Sequence, residues 1–296
     1  MPRAGYRSPS SLCTVCVVPG LLFEARIWGA LGAALCGARL VVSEHGLAEY
    51  PGWHGRVFGW VARSASACVV SSQAAADHIR RRYGVPAAAI QVVPNAVPPS
   101  CWAHGWQPPS RERRRPTLGV VGRLEHPTKG HVVLFDALVR LRDRGIDVDV
   151  DVVGDGPDRA MLEQRAESLG LGDRVLFAGE EVPPWARFTR WDVLVVPSLH
   201  EGFGNVVVEG LAVGVPVVAT DCGGPAEILA GGEGVLVPPG DPDALAAALA
   251  RVLAEPASAA ERARRGQALA RDRFSVDAMA NGMIAVYARA LGGESA

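Results

Sequence analysis

The chain has 296 residues, of which 49% are hydrophobic, and a formal net charge of -1. That length supports a sizeable core and, at about 150 residues each, roughly two domains. The balanced charge gives no reason to expect a nucleic-acid partner and leaves anionic ligands or a basic membrane face to local clusters.

The N-terminal stretch carries Arg3 and Arg7 before an apolar run, which loosely imitates a secretory signal. Pro19 and Gly20 interrupt it, and Glu24 and Arg26 follow. The uncharged run "IWGALGAALCGA" is about half of the ~20 residues a spanning helix needs, so no transmembrane segment is expected. Cys13 and Cys16 form a lone C-x-x-C inside "LCTVCVV", which reads as a strand. Zinc needs more ligands than that pair, and redox motifs sit at helix starts. With Cys36, Cys68, Cys101 and Cys222 scattered, the expectation is reduced thiols in a cytoplasmic protein.

In chain order the predicted strands are "TVCVV", "RLVVS", "ACVVSS", "QVVPN", "TLGVVG", "DVDVDVVG", "RVLFAG", "DVLVVPS", "PVVAT" and "GVLVP". Between them lie segments such as "HVVLFDALVRLRDRG" and "RAMLEQRAESLG", apolar every third or fourth residue and closed by Gly. This alternation predicts β-α-β units and parallel sheets, an α/β fold. The Asp/Val alternation of "DVDVDVV" predicts one solvent-facing side for that strand.

The segment "PPSCWAHGWQPPSRERRR" is rich in Pro, Trp and Arg, lacks periodicity and reads as a linker. It divides a first domain, residues 1–98, from a second, residues 116–272, with the linker at 99–115. A last helical segment, residues 273–296, can pack on either. "IRRRYG" and "RERRR" read either as solvated faces or as contacts for anionic lipid.

The chemistry concentrates in "HEGFGNVVVE". A strand ends near Pro197 and Ser198, and a helix is expected to begin near Asn205. In an open parallel sheet ligands bind at the carboxyl ends of strands. A helix start there offers unpaired N–H groups and a positive dipole end, suited to a diphosphate. Gly202 and Gly204 let the backbone approach closely. Glu201 in the loop and Glu209 one turn into the helix would repel a phosphate unless they point past it to sugar hydroxyls. A ligand with a sugar at each end of a diphosphate, a nucleotide sugar, satisfies both. "GVVGRLEHPTKG" supplies the opposite charge: a strand ends at Gly122, and Arg123 and Lys129 follow in the loop.

The ordered set "GRLEHPTKG", "VGDGP", "VLFAG", "DVLVVPSLHEGFGNVVVEGLAVGVPVVATDCGGPAEIL" and "GVLVPPGD" resembles the donor-binding half of a retaining glycosyltransferase of the GT-B fold, family 4. "VVSEHG" and "AAAIQVVPNAV" resemble the late first-domain strands and hinge of that family, and "FSVDAMANGMIAVYARAL" its helix that crosses back to the first domain. The resemblance implies two Rossmann-like domains facing a cleft, with the first shortened, because no glycine-rich loop is found near its start. It implies that Arg123 and Lys129 hold the diphosphate and Glu209 the ribose hydroxyls. Glu201 would contact the transferred sugar, Phe203, Gly204 and Asn205 would give backbone donors, and His45 would lie beside the transferred sugar.

The expected reaction is transfer of a sugar from a nucleoside diphosphate sugar, by analogy a UDP-hexose or UDP-N-acetylhexosamine, to a hydroxyl or phosphate acceptor. Lipid-linked and secondary-metabolite acceptors, peripheral membrane contact and a protein partner completing the first domain all remain open. No D-x-D run lies beside the donor loop, so no cofactor or essential metal is expected. The alternatives are a non-catalytic nucleotide-sugar-binding subunit and a sugar-nucleotide epimerase. A dehydrogenase is disfavoured because "GDGPDR" breaks the G-x-G-x-x-G pattern at Arg159.

Overall fold

The computed structural model describes residues 17–20, 23–46, 50–108 and 115–292. Cys13, Cys16, Arg3, Arg7 and most of "RERRR" lie outside them. Four strands, β1 (Val17–Gly20), β2 (Arg39–Glu44), β3 (Ala67–Val70) and β4 (Ile90–Val92), form a parallel sheet in that order. Helices α1 (Phe23–Cys36), α2 (Gly52–Ser64) and α3 (Gln73–Tyr83) connect them. Six further strands are β5 (Thr117–Val121), β6 (Asp149–Val153), β7 (Val175–Gly179), β8 (Val193–Val196), β9 (Val217–Thr220) and β10 (Val235–Val237). They form a second parallel sheet in the order β10-β9-β8-β5-β6-β7.

The helices of the second unit are α4 (His131–Asp143), α5 (Arg159–Ser168), α6 (Trp185–Phe188), α7 (Asn205–Val213), α8 (Gly224–Ile228), α9 (Pro242–Ala254) and α10 (Pro256–Arg273). The chain closes with α11 (Val276–Ala290). Each predicted apolar run overlaps a strand, although β1 and β4 are offset from "TVCVV" and "QVVPN". β3, β8 and β9 are buried along their whole length, as β-branched runs are when helices cover both faces of a parallel sheet. The uncharged run near the start is not a spanning segment but part of α1; among the described residues no helix is long and apolar enough to cross a membrane.

Local chemistry fixes the helix starts. Ser72 caps α3 by accepting from Ala75 N, and Asp241 caps α9 by accepting from Asp243 N and Ala244 N. Gly84, at φ 67°, closes α3 in the left-handed conformation. Gly119 is required by close approach, because a Cβ there would lie 1.9 Å from the Trp191 ring.

Two features differ from the sequence reading. Asp151 of β6 does not face solvent: its carboxylate is buried, accepting from Trp191 Nε1 at 3.0 Å and pairing with Arg187 at 3.0 Å. The Asp/Val alternation misleads because neighbouring elements bring a guanidinium and an indole to that face. The aperiodic segment after residue 98 is packed in its described part. Cys101 is fully buried in the core of the second sheet, and Trp106 Nε1 donates to Trp191 O at 2.7 Å.

The chain crosses between the two sheets twice. The strand leaving β4 meets the start of the last crossing, with Val97 N donating to Phe274 O at 2.8 Å. Beyond it, α11 lies on the first sheet: Val286 is buried against Val41, Ala67, Val69 and Val93.

Candidate active site

In the second sheet the strand order reverses direction between β8 and β5. The loops leaving the carboxyl ends of two such strands part to opposite sides and open a crevice between them. The loop after β5 carries Gly122, Arg123 and Lys129. The loop after β8 carries Glu201, Phe203 and Gly204 and runs into α7 at Asn205. The fold therefore places both motifs at the two lips of one crevice.

One cavity of about 610 Å³ is lined by Gly122 and Arg123, by Gly154, Asp155 and Gly156 after β6, by Glu180, Glu181 and Val182 after β7, and by Glu209 of α7. Arg123 is largely exposed, with Nε 3.7 Å from Glu125. It is a cation held at the mouth rather than locked away. A second cavity of about 480 Å³, between the two sheets, is lined by His45, Asn95, Asn205, Val208, Glu209 and Met279 among others. Glu209 belongs to both, so the two spaces adjoin across its side chain.

Lys129 and Glu201 form an ion pair, Nζ to Oε2 at 2.7 Å. The Lys129 stem runs over Gly122, whose built Cβ would lie 3.8 Å from the lysine Cδ. The pair therefore lies beside Gly122, although neither Lys129 nor Glu201 lines either cavity. Ser198 Oγ also reaches Glu201 Oε2 at 3.4 Å. Phe203 places only its backbone near the site. Its ring is buried and meets Phe274 edge-on at 5.9 Å.

Gly204, at φ 98°, turns the chain into α7, and Asn205 is the first helical residue. His45, at the end of β2, lies 3.3 Å through Nδ1 from Asn95 Oδ1, and Asn95 Nδ2 donates to Asn205 Oδ1 at 3.0 Å. A polar chain thus links the first sheet, the hinge segment and the start of α7.

Burial pushes the Glu209 carboxyl from its ordinary 4.5 up to about 7, with the Trp185 indole acting in the opposite direction. Burial, with the nearby Glu209, pushes the Cys101 thiol up to about 12, so that cysteine stays an inert thiol. Among the described residues no three His, Cys, Asp or Glu side chains gather to hold a metal ion.

Several lining residues were not singled out in the sequence: Glu180, Glu181, Val182 and Asn95. Most follow β7, and the rule that ligands meet the carboxyl ends of parallel strands points to that loop. Asn95 carried no such signal, because its partners lie 50 and 110 residues away.

Two parallel-sheet units, with a charged crevice at a strand-order reversal and a second space between the sheets, define a two-domain α/β architecture. Residues 115–255 match the family model "Glycosyl transferases group 1", and residues 23–100 match "Glycosyltransferase Family 4". The chain has the GT-B architecture, and the two stretches that match these family models together make up most of its length.

Among curated proteins it is 34% identical over 248 residues to a 2-deoxystreptamine glucosyltransferase of Streptomyces kanamyceticus, covering 79% of this chain and 63% of that one. It is 35% identical over 236 residues to a GDP-mannose-dependent phosphatidylinositol monomannoside mannosyltransferase of Mycolicibacterium smegmatis, covering 70% and 61%. The chain thus spans about three fifths of the length of these relatives. Among solved structures, Anabaena HepE in complex with UDP superposes with a TM-score of 0.76 at 26% identity, covering 90% of this chain and 77% of that one.

Proposed function

We propose that this chain is a retaining glycosyltransferase that moves a hexosyl or N-acetylhexosaminyl group from a UDP-sugar to an acceptor hydroxyl. The observation that carries this reading is the shared crevice: Arg123 and Glu209 line one cavity, and beside Gly122 of that cavity Lys129 of the β5 loop pairs with Glu201 of the β8 loop. The UDP and UDP-glucose complexes of Anabaena HepE, at 26% identity, support the choice of donor.

In this reading the nucleoside occupies the 610 Å³ cavity, and Glu209 accepts from ribose hydroxyls. Arg123, Lys129 and the first amides of α7 take the diphosphate. When the diphosphate arrives, Lys129 exchanges one carboxylate for phosphate oxygens, and Glu201 turns to hydroxyls of the transferred sugar. The acceptor enters the space between the sheets, beside His45.

The bond from the anomeric carbon to the β-phosphate oxygen breaks as the acceptor oxygen bonds on the same face. The acceptor proton passes to the departing phosphate oxygen, so no second carboxylate is needed as base. The cations and helix start stabilise the charge developing on the leaving group, a preorganised electrostatic effect. The chemistry proceeds without a metal or other cofactor.

The test has two parts. Calorimetry measures UDP affinity for the wild type, Arg123→Ala and Glu209→Ala; unchanged affinity in both variants would remove the site. Mass spectrometry then follows consumption of a nucleotide-sugar panel with aglycone and lipid-phosphate acceptors. Donor binding without turnover would favour a binding subunit.

A further inference from the structure

The loop that carries Glu201 is held from both sides of the molecule. From its own unit, Gly224 N at the start of α8 donates to Glu201 O at 3.2 Å. From the first unit, Ser72 Oγ donates to Gly202 O at 2.5 Å. Ser72 is 2% exposed, and the same oxygen accepts from Ala75 N, so its hydroxyl is used in both senses.

One turn into α8, the Glu227 carboxylate crosses to the first unit. Its two oxygens accept from Gln73 N at 2.8 Å and Ala74 N at 2.6 Å, the first amides of α3. These are charge-assisted bonds to the positive end of an 11-residue helix whose last turn carries Arg80, Arg81 and Arg82. The elements meet closely. A Cβ at Gly223 would fall 2.5 Å from Glu201 O and 3.4 Å from Ala74 Cβ.

We propose that Glu227 and Ser72 are positioning residues for the transfer reaction. They fasten the start of α3 to the 200–204 loop, so that the backbone around Glu201 takes its working shape only while the two sheets are held together. Neither residue faces the cavity shared by Arg123 and Glu209; both act through the loop. The physical basis is the cost of unmaking these bonds. If the units part, Glu227 loses two amide donors and the buried Gly202 carbonyl loses its hydroxyl, and bonds to charged groups are the costlier ones to lose. The role in transfer rests on the function proposed above; the fastening itself does not.

The experiment combines hydrogen exchange by mass spectrometry with steady-state kinetics on the full chain. Its variants are Glu227→Ala, Glu227→Gln, Ser72→Ala and Ser72→Thr. In Glu227→Ala and Ser72→Ala, amides of residues 200–204 exchange about 10-fold faster, although neither substitution lies in that segment.

Glu227→Gln keeps one acceptor and gives an intermediate rate, which also serves should Glu227→Ala fail to fold. Ser72→Thr keeps the hydroxyl and restores the wild-type rate. With a UDP-sugar donor, kcat falls about 10-fold while the donor KM stays within about 2-fold, as expected for lost alignment rather than lost binding.

Faster exchange confined to residues 72–76, with 200–204 unchanged, would reduce Glu227 to a helix cap and overturn the proposal. Absence of turnover in the wild type with every donor would overturn the function, while the exchange result would still decide the fastening.

Discussion

Lys129 Nζ lies 2.7 Å from Glu201 Oε2, a half-buried ion pair that joins the two lips of the crevice. Its partners come from the loops after β5 and β8, 72 residues apart in the chain. Each neutralises the other where a diphosphate is proposed to bind. Lys129→Ala removes a cation and leaves Glu201 facing the donor unopposed. Turnover is expected to fall about 100-fold or more, the cost of one lost donor to the developing charge. A double-mutant cycle with Glu201→Ala should give a coupling above about 0.5 kcal/mol. Additive effects would show that the pair does not act as a unit.

Glu209 gives a pH dependence. In the proposed function ribose hydroxyls donate to this carboxylate, so the ionised form would bind donor, and its pKa of about 7 places the change near neutrality. UDP affinity measured by calorimetry should strengthen as pH rises from 6 to 8, and Glu209→Gln should be weak and flat over that range. Stability moves the opposite way. A carboxyl whose folded pKa is raised contributes stability that is present below its ordinary 4.5 and is lost as pH rises through about 7. The melting temperature of the wild type should therefore fall relative to Glu209→Gln across that window.

His131, the first residue of α4, behaves as the reverse case. It is 1% exposed, and burial, with the charges of Lys129 and His126, lowers it from 6.5 to about 4. A neutral buried histidine contributes stability that is present above its ordinary pKa and lost as pH falls through about 4. The full effect is roughly 3 kcal/mol. Denaturant unfolding between pH 7 and 4 should show the loss in the wild type and not in His131→Phe.

Gly130 stands between Lys129 and His131 at φ 66°, and a Cβ there would lie 1.8 Å from the Pro197 carbonyl oxygen. That neighbour is backbone and cannot turn aside, and the conformation itself is strained for other residues. Gly130→Ala should destabilise by about 3 kcal/mol or more in urea unfolding. The surviving folded fraction should bind UDP more weakly, since the clash displaces Lys129.

Asn95 orients His45. With its Nδ2 given to Asn205, its Oδ1 faces the imidazole, so Nδ1 carries the proton and Nε2 is left as acceptor. Nitrogen-15 NMR of the imidazole should report the Nδ1–H tautomer in the wild type and lose that preference in Asn95→Ala. In the same variant kcat should fall about 10-fold.

The sequence by itself determined the parallel α/β character, the position of each strand and the charged loops at strand ends. Continuous apolar runs, helical periodicity and glycine placement are local, and each is legible within a dozen residues of "DVLVVPS" or "HVVLFDALVRLRDRG". It could not show that Asp151 is buried, because Arg187 and Trp191 arrive from 36 and 40 residues away. Nor could it show that Cys101 and Trp106 leave the apparent linker for the second core. Only the tertiary structure decided which charges meet: Lys129 with Glu201, Asn95 between His45 and Asn205, and Glu227 on the amides of α3. Side chains so far apart in the chain share no periodicity or spacing. Their meeting is set by the strand-order reversal and by the way one sheet is seated against the other.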